Sequence, residues 1–174
     1  GSVAIVVMYS EKQNVSGSSK ERLTLGDLVP ESAVLLDLPD TEKTKIIERL
    51  TASLEPSGAV VDFDKAVADL IDREKQGSTA LGRGVALPHA KTLGVRSPGL
   101  AFGLCRGGVE FESMDGLPVH LVFLFVVPRA RAGLHLKVLA ALNRFLRNEE
   151  NRKSLLGASD ETSIRKILSE VRIS

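Results

Sequence analysis

Val119 to Val127 constrains the fold more than any other stretch, reading Val-His-Leu-Val-Phe-Leu-Phe-Val-Val. It is almost continuously apolar and rich in β-branched and aromatic residues. That is the pattern of a central strand covered on both faces, whereas a half-exposed strand alternates. Met114-Asp115-Gly116 signals a turn before it, and Pro128 closes it.

Helical patterns surround this strand. Thr41 to Leu54 places Ile46, Ile47, Leu50 and Leu54 on one face, with Asp40 or Thr41 as its cap. Phe63 to Gln76 follows, capped by Asp62, with Val67, Leu70 and Ile71 on its apolar side and Gly77 as its stop. Leu134 to Arg147 is strongly amphipathic through Val138, Leu139, Leu142, Phe145 and Leu146. A short helix at Glu149–Leu156 ends at Gly157. Ser159 is predicted to cap a last helix carrying Ile164, Ile167, Leu168 and Val171. Val85–Leu87 and Leu100–Leu104 read as strands, and Leu25–Pro30 and Val34–Leu38 as short apolar pieces around turns. Helices before, between and after the strands predict an α/β (α+β) sheet sandwiched by helices.

The 174 residues suit one domain with a tail. Residues 10–22 are polar and serine-rich and read as a flexible linker, so the domain is expected to span 23–174. Val3–Tyr9 is apolar but too short to cross a bilayer, and it lacks the basic flank of a signal peptide. No direct membrane insertion is therefore expected. Gly1-Ser2 reads as a cloning remnant, which leaves room for a longer natural chain. The net charge of +1 provides no field that selects nucleic acid. Aromatics are 4% with no Trp, too few for a base-stacking platform. The single cysteine, Cys105, excludes an internal disulfide and points to a reducing compartment, the cytoplasm. Its apolar neighbours predict a buried, inert thiol.

The chemistry concentrates at Gly84-Val85-Ala86-Leu87-Pro88-His89-Ala90-Lys91. Pro88 fixes its own φ and biases Leu87 toward extended backbone, so His89 leaves a strand in a defined direction. Histidine gains and loses its proton near neutral pH, which suits proton or phosphoryl transfer. The approach, Gly77 to Gly84, is glycine-rich but lacks the Gly-Lys-Ser/Thr and following helix of a nucleotide loop. Exposed amides around Ser78, Thr79 and Gly84 are candidates to hold an anion beside His89. His135 sits at the start of the amphipathic helix, where the positive dipole end favours an anion and a neutral imidazole. Arg73, ending the second helix with Glu74, is either a solvated helix end or a planar phosphate donor. Arg129, Arg131 and Lys137 flank the His135 helix as solvated charge or as attraction for an anionic partner. His120 reads as a core histidine bonded to backbone. A three-histidine zinc site is the remaining alternative, without the helical i, i+4 ligand spacing.

Taken together, Arg73-Glu74…Gly77-Ser78-Thr79…Gly82-Arg83-Gly84-Val85-Ala86-Leu87-Pro88-His89, then Phe111, Met114-Asp115-Gly116-Leu117-Pro118-Val119, Val127-Pro128 and His135-Leu136…Leu139 form a specific pattern. It resembles the enzyme IIA domains of the fructose/mannitol type in the bacterial sugar phosphotransferase system, including the nitrogen-regulatory enzyme IIA. The resemblance runs from about residue 24 to 172. It implies a mixed β-sheet flanked by helices, with no cofactor, metal or nucleotide. It implies that His89 accepts a phosphoryl group from the small carrier HPr or a nitrogen-branch counterpart. A downstream enzyme IIB or a regulated protein would then receive the group or read the charge. His135 would stabilise the phosphoryl group and Arg73 would lie beside it. His120 departs from the expected pattern and takes no role from the resemblance. The rival expectation is a non-catalytic regulatory or docking domain, such as the cytoplasmic part of a membrane transporter.

Overall fold

A computed structural model of the protein describes residues 23–173; the linker expected at 10–22 and the run Val3–Tyr9 lie outside the described residues. The predicted central strand is β6 (Val119–Val127), in which every residue but His120 is buried. On one side it pairs antiparallel with β5 (Gly99–Val109). On the other it pairs parallel with β3 (Val85–Ala86) and, further along, with β4 (His89–Lys91). β1 (Val34–Leu35) joins β5 in parallel, and β2 (Ala80–Gly82) joins β3 antiparallel. The order β1-β5-β6-β3-β2 is a mixed sheet, as expected.

Residue size along β5 decides how the helices approach. Gly99, Ala101 and Gly103 face one side, and Leu100, Phe102 and Leu104 the other, by the two-residue period of a strand. The small side admits helix α1 (Lys43–Ala52). A Cβ at Gly103 would fall 2.6 Å from Leu38 and 3.1 Å from Leu50, so glycine sets this close approach. Helix α2 (Phe63–Lys75) packs against α1 and β4. On the large side, Phe102 and Phe123 are aligned with ring centroids 5.0 Å apart. That side takes α3 (Ala132–Arg147), after which α4 (Glu149–Leu156) and α5 (Glu161–Ser169) follow. The ends of the described chain are stitched together: Leu25 N donates to Val171 O at 2.9 Å, and Ile173 N to Leu23 O at 3.0 Å.

The structure corrects several local expectations. Neither Asp40 nor Thr41 caps α1; the cap is Glu42 without a side-chain bond, and Asp40 instead pairs with Arg49. Asp62 does cap α2, accepting from Lys65 N at 3.1 Å, a contact of a kind contributing about 1 kcal/mol. The last helix is capped by Asp160, which accepts from Ser163 N at 2.8 Å; Ser159 lies one residue too early. α3 begins at Ala132 after a 3₁₀ turn at Arg129–Arg131, so His135 is in the helix rather than at its first residue. The glycine-rich connector is partly strand: β2 and β3 form a hairpin turning through Arg83 (φ 57°) and Gly84 (φ 81°). Two positive φ angles match the twist of a tight hairpin, and Asp115 supports the turn by accepting from Arg83 N at 2.7 Å.

Candidate functional site

β6 aligns the site. His89 opens β4 and is paired in register with Phe125, and residues so aligned present side chains to the same face. His135 descends from α3 onto that face. Its ring stacks on Phe125 (centroids 5.9 Å, 13°) and stands 5.3 Å from the ring of His89 at 47°. The two histidines thus meet on the large side of the sheet.

His89 Nδ1 lies 2.7 Å from the carbonyl of Leu87. A carbonyl only accepts, so Nδ1 carries the proton and Nε2 keeps its lone pair. Burial lowers the pKa of His89, and the nearby Arg73 charge lowers it further; the Leu87 bond and Glu74 pull the other way. The ring is neutral at pH 7 and Nε2 is a free base.

His135 is 8% exposed, and its Nε2 is buried without a hydrogen-bond partner. Burial, then repulsion from His89 when protonated and from Lys91, push its pKa down to about 4. In the tautomer that carries the proton on Nε2, this neutral ring has one donor there and no acceptor among the described residues to receive it. Leaving such a group unsatisfied costs about 1–3 kcal/mol, which a bound oxygen atom would relieve.

Two pockets flank His89. One, of about 340 Å³, is bordered by Asp69, Asp72 and Arg73 from α2 and by Lys91, Arg129 and His135. The other, of about 150 Å³, is bordered by Arg73, Ser78, Thr79, Leu81, Leu139 and Asn143. Arg73 lines both, and its guanidinium donates to the Gly77 carbonyl at 2.9 Å. A tetrahedral oxyanion on His89 would therefore stand near Arg73, Lys91 and Arg129.

The loop residues singled out from the sequence divide. Ser78 and Thr79 border the small pocket, but their hydroxyls are committed to the Phe111 carbonyl and to Glu74 respectively. Gly84 borders neither pocket; its carbonyl accepts from His120 N and Leu121 N of β6. Arg131 and Lys137 border neither, whereas Arg129 does.

Glu74 is not a solvated helix end. It is 8% exposed, accepts from Thr79 N at 2.7 Å, and pairs with Lys43 at 3.3 Å. It anchors the loop that leads to His89, and no local sequence signal reveals this. Two other missed residues did carry signals. Asp69 precedes Arg73 by one helical turn, the i, i+4 spacing of a shared face. Lys91 follows His89 by two along a strand, which also shares a face. Burial works against the Asp69 carboxylate, yet Thr92, Lys65 and Arg129 hold its pKa below the ordinary value.

His120 does bond backbone, its Nδ1 2.9 Å from the Cys105 carbonyl. It sits five residues before Phe125 on β6, roughly 16 Å from the paired histidines at strand rise. Among the described residues no cluster of His, Cys, Asp and Glu can hold a metal ion. Cys105 is buried, and burial, then Asp40, raises its pKa to about 12, so the thiol is inert as expected. No helix of the described residues is long and apolar enough to cross a membrane.

Comparison with known proteins agrees with this geometry. Residues 27–171 match the family described as phosphoenolpyruvate-dependent sugar phosphotransferase system, EIIA 2. The fructose-specific EIIABC component of Bacillus subtilis is 35% identical over 148 residues, covering 85% of this chain but 23% of that protein. The chain thus spans about a quarter of that relative. A nitrogen regulatory protein of Bradyrhizobium diazoefficiens is 36% identical, over 84% of this chain and 95% of its own length. The crystal structure of nitrogen regulatory protein IIA-Ntr from Neisseria meningitidis superposes with a TM-score of 0.76 at 36% identity, covering 82% of this chain and 97% of that one. These likenesses support a phosphocarrier role, in sugar uptake or in nitrogen regulation. The fold, the paired histidines and the matched span lead to one conclusion: the chain belongs to the EIIA type 2 family of the sugar phosphotransferase system.

Proposed function

We propose that His89 Nε2 accepts a phosphoryl group from the phosphohistidine of HPr, or of its nitrogen-branch counterpart. It then passes the group to an EIIB-type acceptor or signals its charge to a regulated protein. The new bond joins Nε2 to phosphorus as the donor's N–P bond breaks, and the bonding pair returns to the donor nitrogen. Nε2 has no proton to shed, because the Leu87 carbonyl keeps the ring proton on Nδ1. His135 supplies a neutral donor to a phosphoryl oxygen, and Arg73, Lys91 and Arg129 balance its charge. No metal, nucleotide or other cofactor enters this scheme. The reading places the protein in the cytoplasm with its partners. The A, B and C units joined in the Bacillus relative's name support an EIIB-type acceptor.

The observation that carries the reading is the pair of neutral rings at 5.3 Å, one with a free basic nitrogen and one with an unspent buried nitrogen. The test is incubation with radiolabelled phosphoenolpyruvate, the first enzyme of the system and HPr. Acid-labile, base-stable label is expected on His89 and absent from His89→Gln. Equal label on the variant would overturn the assignment.

A further inference from the structure

We propose that the cleft between α3, α4 and α5 binds a small zwitterion, an α-amino acid with an apolar side chain. The cleft encloses about 540 Å³, more than either pocket at His89, and lies in the size range of small-molecule sites. On α3, Ala141 offers it only a methyl group. Phe145, Ile167 and Val171 pack on the core with one side and border the cleft with the other, so each is only half-buried. Around this apolar floor stand Arg144, Glu170 and Arg172, all exposed. Among the described residues, none of the three has an oppositely charged side chain within ion-pair distance, although all border one cleft. Two cations and one anion left unpaired with each other match a ligand that carries both signs.

The surroundings sort the ligand's two ends. Glu170 caps α5, whose C-terminal carbonyls carry partial negative charge. Asn151 of α4 donates its side-chain N–H to the Phe145 carbonyl at 2.9 Å, which leaves its side-chain oxygen to accept. Glu170 and Asn151 therefore suit an ammonium group. Arg144 and Arg172 suit a carboxylate, which a guanidinium fork holds in bidentate fashion. The ligand's side chain then covers Phe145, Ile167 and Val171. A simple anion would set its charge against Glu170, an amine would set its charge against two guanidinium groups, and either would leave a charge of the cleft unanswered. No residue of the cleft borders the pockets that contain His89. Arg144 follows His135 by nine residues on α3, about 14 Å along the helix. The two sites share a helix and no residue.

The test is calorimetric titration of the full chain with phenylalanine and with leucine, with amide NMR shifts to locate the contact. Saturable binding is expected with a Kd of about 1 mM or tighter, and with shifts at Phe145, Asn151, Ile167 and Val171. Hydrocinnamate lacks the ammonium, phenethylamine lacks the carboxylate and glycine lacks the side chain; each should bind at least about tenfold more weakly than phenylalanine. Arg144→Gln and Glu170→Gln should each weaken phenylalanine binding by about tenfold. Both side chains are exposed and unpaired among the described residues, so the variants should keep the parent's urea midpoint. The proposal is overturned if neither amino acid saturates the chain, if an analogue lacking one charge binds as well as phenylalanine, or if both substitutions leave Kd unmoved. Shifts confined to the residues around His89 would overturn it as well.

Discussion

Two histidines stand near opposite ends of β6, His120 on the strand itself and His89 on β4 beside Phe125, and their surroundings differ. His120 Nδ1 donates to the Cys105 carbonyl, and His89 Nδ1 donates to the Leu87 carbonyl. His89, whose pKa is lowered, keeps a lone pair on Nε2. The difference lies around them. His120 is tucked against Gly84 and Gly108, where a Cβ would come within 3.8 and 3.2 Å of its ring. His89 faces a second imidazole, a buried unpaired nitrogen and two pockets edged with cations. A fixed tautomer makes a base available; the neighbours decide whether an oxyanion can reside there.

Exchanging the two histidines in turn breaks or sustains this contrast. His89→Gln should abolish phosphoryl labelling, while His120→Gln should label like the parent; equal losses would erase the distinction. His135→Ala should slow single-turnover phosphorylation by about 100-fold, the scale of one lost oxyanion donor. Rapid-quench rates near the parent value would deny it that part.

A pH series sharpens the comparison further. His135 is held to about 4 in the fold, against roughly 6.5 in an unfolded chain. Its contribution is complete above the unfolded value and is lost as pH falls toward 4, because the unfolded chain takes up the proton first. Denaturant unfolding of the parent should lose about 3 kcal/mol more than His135→Gln between pH 7 and 4. Parallel curves would contradict the neutral buried ring. Labelling should also decline on acidification with a midpoint below about 6.5, as the lowered pKa of His89 requires.

Smaller effects belong to the supports. Glu74→Gln weakens the tie to Lys43 and to both Thr79 donors; it should cost about 2 kcal/mol in urea unfolding. His120→Asn should cost about 1 kcal/mol, one neutral hydrogen bond, and a cost above that of Glu74→Gln would mean the quiet end of the strand had been misjudged.

What the sequence disclosed follows the range of the interactions. The long elements were legible because their signals are local: the period and Asp62 cap of α2, and the apolar run of β6. β2 and β4 were not, because three residues become strand only by pairing with distant partners, as His89 does with Phe125. The caps at Glu42 and Asp160 turned on single-residue boundaries. At the site, Pro88-His89 drew notice by itself. The meeting of His89 with His135 is a matter of two elements landing on one face of a sheet, and only the resemblance anticipated it. Glu74 was misread because its partners, Lys43 and Thr79, reach it from another helix and from around a turn.

The register of β3 and β4 along β6 has a last consequence. Val85 aligns with Leu121 and His89 with Phe125, so both pairs keep the same offset across the proline break. The nucleophile proposed above is thereby fixed against the central strand and cannot swing like the arm of a lipoyl or biotin carrier. In the proposed transfer, cargo changes hands only if the giver departs before the taker arrives. Such a relay runs by alternating visits to one berth, and its throughput is governed by how quickly each visitor lets go.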